Sequence, residues 1–224
     1  MNARLSFGFI LFGFLLVPTV TNAGDKGEFF DGKTFNGWHG LIDRYWKITD
    51  GAIVGHSGGR PIRHNTFLCS KKQYGDFELS FQVRIINDDN GKSGVQSRNS
   101  GIQIRSMIFD KKKFAVRGPQ CDMGGKYWGC LYGEHFGGKG GPLSGGMMKA
   151  ADPKVVAKAL KQEGFNDYYI RCVGTHVTIK LNGQTTVDGE FKNMPKRGII
   201  AWQLHSGGAM TITFRNIRFV DLSK

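Results

Sequence analysis

Alternating apolar and polar side chains predict β-strands along most of the chain. Segments 77–85 and 101–107 alternate at every second residue, which is typical of strands buried on one face. Asn182 and Gly183 separate segment 176–181 from segment 185–187, and this dipeptide favours a tight hairpin turn. Further strand-like segments lie at 52–54, 168–173, 198–204 and 210–220. Many short strands joined by turns predict an all-β sandwich or barrel.

A single short helix interrupts this pattern. Asp152 is a favourable N-cap residue, Pro153 suits the first helical position, and segment 155–162 is compatible with a helix. Gly164 is expected to end it.

The N-terminus has the features of a secretory signal peptide. Arg4 precedes an apolar run at 5–17, and small residues at 21–23 suit cleavage after Ala23. The alternative is an uncleaved anchor, but the apolar run is short for a bilayer span. We therefore expect residues 1–23 to be removed. Residues 24–224 should form one exported domain, periplasmic or secreted, without stable membrane insertion.

Composition and charge narrow the function classes. Of 224 residues, 40% are hydrophobic and 22% are charged, which indicates a globular protein. The net charge of +13 raises the question of nucleic acid as a partner. The basic residues are scattered and export separates the chain from most nucleic acid, so we expect none; attraction to an acidic polysaccharide stays open. The four cysteines lack a CxxC pair, which argues against a zinc cage. Export allows disulfides among them, whereas Cys69 and Cys172 lie in strand-like apolar segments, where buried thiols are the alternative.

Several motifs resemble a known family. They are FDGKTFNGW at 30–38, DGAIVG at 50–55, YGDFEL at 74–79, NSGIQIR at 99–105, QCDMG with YWGCLY at 120–132, and QLH at 203–205 with FRNIR at 214–218. In this order they resemble the 3-keto-disaccharide hydrolases, also described as 3-keto-glucoside 1,2-lyases and hydratases, over residues 28–222. Two positions depart from the family pattern. Gly133 stands where an acidic residue is common, with Glu134 after it, and Pro119 replaces an aromatic residue.

The resemblance implies a fold and a reaction. The fold is a concanavalin A-like jelly-roll β-sandwich, in agreement with the strand pattern. The reaction begins at a ketone on C3 of a sugar, which acidifies the C2 hydrogen. A base removes that proton, the enolate expels the C1 substituent, and water adds afterwards, so that the net result is hydrolysis. Such an enzyme needs a base, a group that stabilises the enolate, and an acid for the leaving group.

Three residues are the catalytic candidates. His205 is the expected base, because histidine side chains titrate near neutral pH. Arg105 is the expected enolate stabiliser, and Asp122 a second base or a metal ligand. Each has a structural alternative: a histidine bonded to a loop carbonyl, an arginine in a solvated ladder, and a turn aspartate before glycines.

Six further residues are expected to bind substrate. Alternation places Gln103 beside Arg105, Gln120 beside Asp122, and Gln203 beside His205. The aromatic side chains of Trp128 and Tyr132 could stack on a sugar or pack in the core, and Glu134 could be part of a polar loop. The substrate is thus a glycoside or oligosaccharide. No cofactor is predicted, and a divalent metal is neither argued nor excluded. The alternative function is a carbohydrate-binding module of the same fold.

Overall fold

The computed structural model describes residues 29–88, 98–140 and 144–223 as two packed antiparallel β-sheets. The predicted signal peptide and the turn expected around Asn90 lie outside the described residues. The front sheet has the order β1 (Trp38–His39), β4 (Thr66–Ser70), β13 (Ile199–Leu204), β6 (Ser100–Asp110), β7 (Ala115–Met123), β8 (Leu131–Glu134) and β9 (Gly146–Lys149). The back sheet has the order β12 (Gln184–Glu190), β11 (His176–Leu181), β10 (Asn166–Val173), β5 (Phe77–Asn87), β14 (Met210–Asp221), β3 (Ala52–His56) and β2 (Trp46–Thr49).

The core lies between the two sheets, as the alternation predicts. Every second side chain of β5, from Phe77 to Ile85, is buried, and the side chains between them are half-buried. Phe81 and Phe214 of the back sheet contact Trp202 of the front sheet, with ring centroids 5.4 and 4.7 Å apart. Burial of this apolar surface is the main force that holds the sandwich together. The predicted all-β jelly-roll fold is confirmed.

The helices only partly follow the prediction. Helix α2 spans Pro153–Ala159, and the Asp152 side chain caps it by accepting a hydrogen bond from the backbone N–H of Lys154 at 2.8 Å. The helix ends before the predicted residue 162, because Leu160 is already extended. The sequence did not predict helix α1 (Ile42–Tyr45) or the 3₁₀ turn Gly125–Tyr127. None of the described helices has the length and apolar character that crossing a membrane requires.

A second, smaller apolar cluster covers part of the outer face of the front sheet. Trp202 of β13 points into the main core, so its neighbour Ala201 faces outward, where it pairs with Cys69. Val116 of β7 packs against the same cluster. The hydroxyl of Thr66 donates a hydrogen bond to the Lys113 carbonyl at 3.0 Å. The tip of the β6–β7 hairpin is thereby held against β4, and a cleft forms beside this contact.

All four cysteines are buried thiols, which the sequence suggested only for Cys69 and Cys172. Cys69, Cys121, Cys130 and Cys172 are all free and buried. Burial raises the pKa of the Cys130 thiol to about 12 and that of Cys172 to about 11. The neutral thiol therefore dominates at physiological pH, and these side chains act as small apolar core residues.

Candidate functional site

Four of the predicted residues form one buried hydrogen-bonded cluster on the outer face of the front sheet. Gln103 of β6 pairs in register with Gln120 of β7. The Gln120 amide nitrogen donates to Asp122 Oδ1 at 2.7 Å and to Gln203 Oε1 at 3.2 Å, and its oxygen accepts from the amides of Gln103 and Gln203. Gln120 thus uses both N–H groups and both lone pairs. The structure brings together residues from three strands.

Gly101 makes room for this cluster. A Cβ atom at this position would lie 2.6 Å from Cγ of Gln120, closer than real Cβ contacts allow. The Gln120 side chain lies across the glycine and so reaches both Asp122 and Gln203. The glycine of the NSGIQ motif is therefore explained by packing.

Burial sets the protonation of Asp122. Its desolvation raises the pKa of the carboxyl group well above its usual value, and the nearby Glu134 carboxylate raises it further. Hydrogen bonds from Gln120 and Asn99 only partly oppose this shift. The neutral acid is therefore favoured, and it can donate a hydrogen bond rather than accept a proton. Asp122 lies within β7, so the turn alternative is wrong.

An open cleft of about 380 Å³ has in its lining Glu134, the carboxylate that acts on Asp122 of the cluster. Phe67 and Val116 line its apolar part, and Glu134 and His135 lie on its polar side. Glu134 Oε1 accepts a hydrogen bond from Asn65 Nδ2 at 2.8 Å and is 3.7 Å from His135 Nε2. The cleft therefore combines an apolar surface with a fixed carboxylate, an arrangement that suits a sugar ring.

The turn after β13 sets the tautomer of His205. Its Nδ1 atom lies 2.7 Å from the carbonyl oxygen of Ser206. A carbonyl can only accept a hydrogen bond, so Nδ1 must carry the proton. In the neutral ring Nε2 then has a free lone pair and can act as a base. The structural alternative, a histidine bonded to a loop carbonyl, is therefore also correct. The ring can bond to the turn through Nδ1 and accept a proton at Nε2.

Arg105 is not part of this cluster. Its guanidinium donates to the carbonyl groups of Gly75, Gly174, Pro195 and Cys172 and to Asp76 Oδ1, at 2.5–3.3 Å. These bonds use all five N–H donors and connect the side chain to the back sheet and its turns. The pairing of β6 shifts between Gln103 and Met107, and Arg105 has a positive φ of 45°. The expected common face with Gln103 is therefore wrong, because the bulge turns Arg105 inward.

The two aromatic candidates differ in their surroundings. Trp128 is 1% exposed and packs in the main core, so the core alternative holds for it. Tyr132 is half-buried, and its ring meets the edge of Tyr127 at a centroid distance of 6.1 Å. Burial and the neighbouring Glu134 carboxylate raise the pKa of Tyr132. Tyr132 therefore lies close to the candidate site, and Trp128 supports the fold.

The comparison with known families decides the identity of the domain. The model of the 3-keto-alpha-glucoside-1,2-lyase-like domain matches residues 25–220. The chain belongs to this family. A search of curated protein sequences gives no significant match.

Solved structures similar to this 3-keto-alpha-glucoside-1,2-lyase-like chain share its fold. Two are Parabacteroides distasonis proteins whose names propose a glycosyl hydrolase. The first has 20% identity, a TM-score of 0.55, and coverage of 84% of this chain and 94% of its own. The second has 18% identity, a TM-score of 0.56, and coverage of 87% and 92%. The carbohydrate-binding module CBM66 from Bacillus subtilis has 14% identity, a TM-score of 0.54, and coverage of 82% and 94%. At these identities the likeness shows the fold alone.

The structure of this family member adds two residues that the sequence did not single out. Asn65 bonds to Glu134 across the cleft, although 69 positions separate the two residues in sequence. Phe109 lines the cleft with a 41% exposed side chain, and His135 contacts its ring at a centroid distance of 5.0 Å. The position of Phe109 at the end of an alternating strand was the available signal for it. Asn65 had none, because its partners are distant in sequence.

The described part of the chain contains no set of side chains arranged to bind a metal ion. Within residues 29–88, 98–140 and 144–223, no three His, Cys, Asp or Glu side chains are placed to hold an ion.

Proposed function

We propose that the chain cleaves glycosides of 3-keto-sugars by removing the C2 proton and eliminating the C1 substituent. The observation that carries this proposal is the tautomer of His205, since the Ser206 carbonyl leaves Nε2 free to accept a proton. Membership of the 3-keto-alpha-glucoside-1,2-lyase-like family supports the reaction class.

The proposed cleavage has two steps, removal of the C2 proton and elimination of the C1 substituent. His205 Nε2 takes the C2 proton, and the C–H electron pair forms the C2–C3 double bond of an enolate. The enolate then restores the C3 carbonyl, forms a C1–C2 double bond, and breaks the bond from C1 to the leaving oxygen. The leaving oxygen takes up a proton, and water added across the new double bond gives the free 3-keto-sugar. No redox cofactor is needed, because the ketone is already present in the substrate.

Other residues of the site suit supporting roles. Asp122, whose neutral form burial favours, is the candidate donor to the enolate oxygen, the role first expected of Arg105. Glu134 would bind sugar hydroxyl groups through Oε2, since Asn65 bonds to Oε1. The exposed ring of Phe109 would stack on a sugar face, and the Tyr132 hydroxyl would add a polar contact. We also propose that the chain is exported, on the basis of its N-terminal sequence.

The test is turnover of a chromogenic 3-keto-glucoside beside the unoxidised glucoside. We expect release from the keto form alone, and slower release when C2 carries deuterium. His205→Ala should lower kcat by about 10²–10⁴-fold, the usual contribution of a general base. His176→Ala is the matched control, because His176 lies on β11 of the back sheet. Equal losses in the two variants, or equal rates for both glucosides, would contradict the proposal.

A carbohydrate-binding module is the second candidate. One observation favours it: the cleft offers the exposed ring of Phe109 beside the Glu134 carboxylate that Asn65 holds, a surface that can bind a sugar without any reacting group. The fold of CBM66 is also similar. Sugar binding by a wild-type protein that releases no product from several keto-glycosides would favour this function.

A further inference from the structure

One side-chain amide connects two walls of the cleft. Asn65 Nδ2 donates to Glu134 Oε1 at 2.8 Å, and Asn65 Oδ1 accepts from the backbone N–H of Ser206 at 2.8 Å. A backbone N–H can only donate and a carboxylate can only accept. Only one orientation of the amide satisfies both partners, so the contact fixes the side chain.

The contact spans several strands of the front sheet. Asn65 directly precedes β4, and Ser206 follows β13, the strand that pairs with β4. Glu134 ends β8, and β6 and β7 lie between β8 and β13 in the sheet. The sheet hydrogen bonds therefore connect Glu134 to the turn after β13 only through two intervening strands. The Asn65 amide connects them directly.

Ser206 extends this connection to His205. Its backbone N–H bonds to Asn65, and its backbone carbonyl accepts from Nδ1 of His205. Movement of the Ser206 backbone would therefore change the hydrogen bond that selects the His205 tautomer. Glu134, Asn65, Ser206 and His205 form a continuous series of three hydrogen bonds.

We infer that Asn65 is a positioning residue: its amide holds the Glu134 carboxylate at a fixed place relative to the turn that selects the Nδ1–H tautomer of the neutral His205 ring. Asn65 acts through its neighbours, by keeping a sugar-binding carboxylate and the base aligned on one substrate. The inference rests on the proposed function for its catalytic consequence, but its structural content can be measured without turnover.

The first experiment compares Asn65→Ala with Thr66→Val. Thr66→Val is the matched control, because it removes a neighbouring hydrogen bond, to the Lys113 carbonyl, without touching Glu134 or Ser206. The ¹⁵N NMR signals of the six histidines report their tautomers, and the His205→Ala spectrum identifies the His205 signal. We expect the Nδ1–H tautomer in the wild type and in Thr66→Val, and a mixture of tautomers in Asn65→Ala.

Kinetics add a readout that loss of stability alone would not move. Displacing a base by about 1 Å costs on the order of 10²-fold in rate. We expect Asn65→Ala to lower kcat by about 10–100-fold, by a larger factor than it raises KM. Thr66→Val should leave kcat of the folded protein within about threefold of wild type, since the lost hydrogen bond goes to the Lys113 carbonyl rather than to Glu134, Ser206 or His205.

The second experiment exchanges donor and acceptor, and it applies even if Asn65→Ala does not fold. In Asn65→Asp the new carboxylate can still accept from Ser206 but faces Glu134. We expect the His205 tautomer to be kept and the melting temperature at pH 7 to fall by at least about 3 °C. Adding Glu134→Gln supplies an amide donor to the new carboxylate and should restore at least half of this loss, whereas Glu134→Gln alone should not stabilise the wild type.

The outcomes separate the inference from the proposed function. Absence of turnover in the wild type would defeat the proposed function, and the tautomer and melting data would still decide the role of Asn65. An Asn65→Ala protein with the wild-type His205 tautomer would overturn the inference. The inference would also be overturned if Glu134→Gln changed the melting temperature equally in the wild type and in Asn65→Asp, because the side chains at positions 65 and 134 would then not be coupled.

Discussion

Replacing Arg105 by methionine should destabilise the fold without removing a catalytic group. Methionine has a similar length and remains apolar, but it removes hydrogen bonds to four backbone carbonyl groups and to Asp76. A hydrogen bond to a charged group contributes about 1.5–3 kcal/mol, and each buried acceptor left alone costs about 1–3 kcal/mol. The Asp76 contact counts for little, because that side chain is 37% exposed and screened by solvent.

The net loss is smaller than the sum of these bonds, because burying the guanidinium has its own desolvation cost. We expect the free energy of unfolding to fall by about 3–5 kcal/mol, because the carbonyl groups of the buried residues Gly75 and Cys172 each lose their donor at about 1–3 kcal/mol. For a chain of this length, that corresponds to a melting temperature about 6–20 °C lower. A domain of ordinary stability has about 5–15 kcal/mol in total, so the variant should be folded at low temperature and marginal at high temperature.

Urea denaturation and turnover at low temperature measure the two effects separately. The folded fraction of Arg105→Met should release product within about threefold of the wild-type rate, since the side chain lies away from the cluster. Arg105→Lys is the companion variant: it keeps the charge but offers three donors instead of five, so it should recover only part of the stability. A stable Arg105→Met protein that has lost turnover would refute this reasoning and return Arg105 to the substrate.

Two further predictions concern the site itself. Asp122→Asn should gain stability relative to wild type as pH rises above about 4, because the pKa of Asp122 is raised in the folded state. Once the carboxyl group of the unfolded wild type ionises, wild type loses at most about 1.4 kcal/mol of stability per pH unit, and the asparagine variant does not. Urea denaturation of both proteins over a pH series measures the difference, and a difference that does not change with pH would contradict the prediction. Phe109→Ala should weaken binding of 3-keto-glucose about two- to tenfold and change the free energy of unfolding by about 0.5 kcal/mol or less, because its ring is exposed. Trp128→Ala should lower the free energy of unfolding by about 3–5 kcal/mol and leave the affinity of the folded fraction unchanged, because its ring is buried in the core. Titration calorimetry measures the affinities, and denaturation measures the stabilities.

Sequence periodicity determined most of the fold. Side chains on a strand alternate between two faces, so a pattern such as that of 77–85 predicts both the strand and its buried side without knowledge of its partners. The Asn182–Gly183 hairpin is equally local, and the observed strands β11 and β12 flank it. The pattern missed short strands such as β1 and β2, because two to four residues do not establish a period.

The cluster around Gln120 was predictable for the same reason. Gln103, Gln120 and Gln203 each alternate with an apolar neighbour that enters the core, so their common outward direction follows from the sequence. Their mutual hydrogen bonds were not predictable, because these depend on the order β13, β6, β7 within the sheet. Only the packed strands place the three amides beside Asp122.

Tertiary structure alone decided the roles of Arg105, Trp128 and Asn65. A bulge breaks the alternation at Arg105, and such a change of register depends on the neighbouring strands rather than on local preference. Trp128 lies in a loop segment, where sequence alone does not distinguish a buried ring from an exposed one. Asn65 meets Glu134 and Ser206 at separations of 69 and 141 residues, and no local pattern records contacts of that range. Strand direction is a local property of the chain, whereas the meeting of side chains from different strands is set by the packing of the whole sandwich.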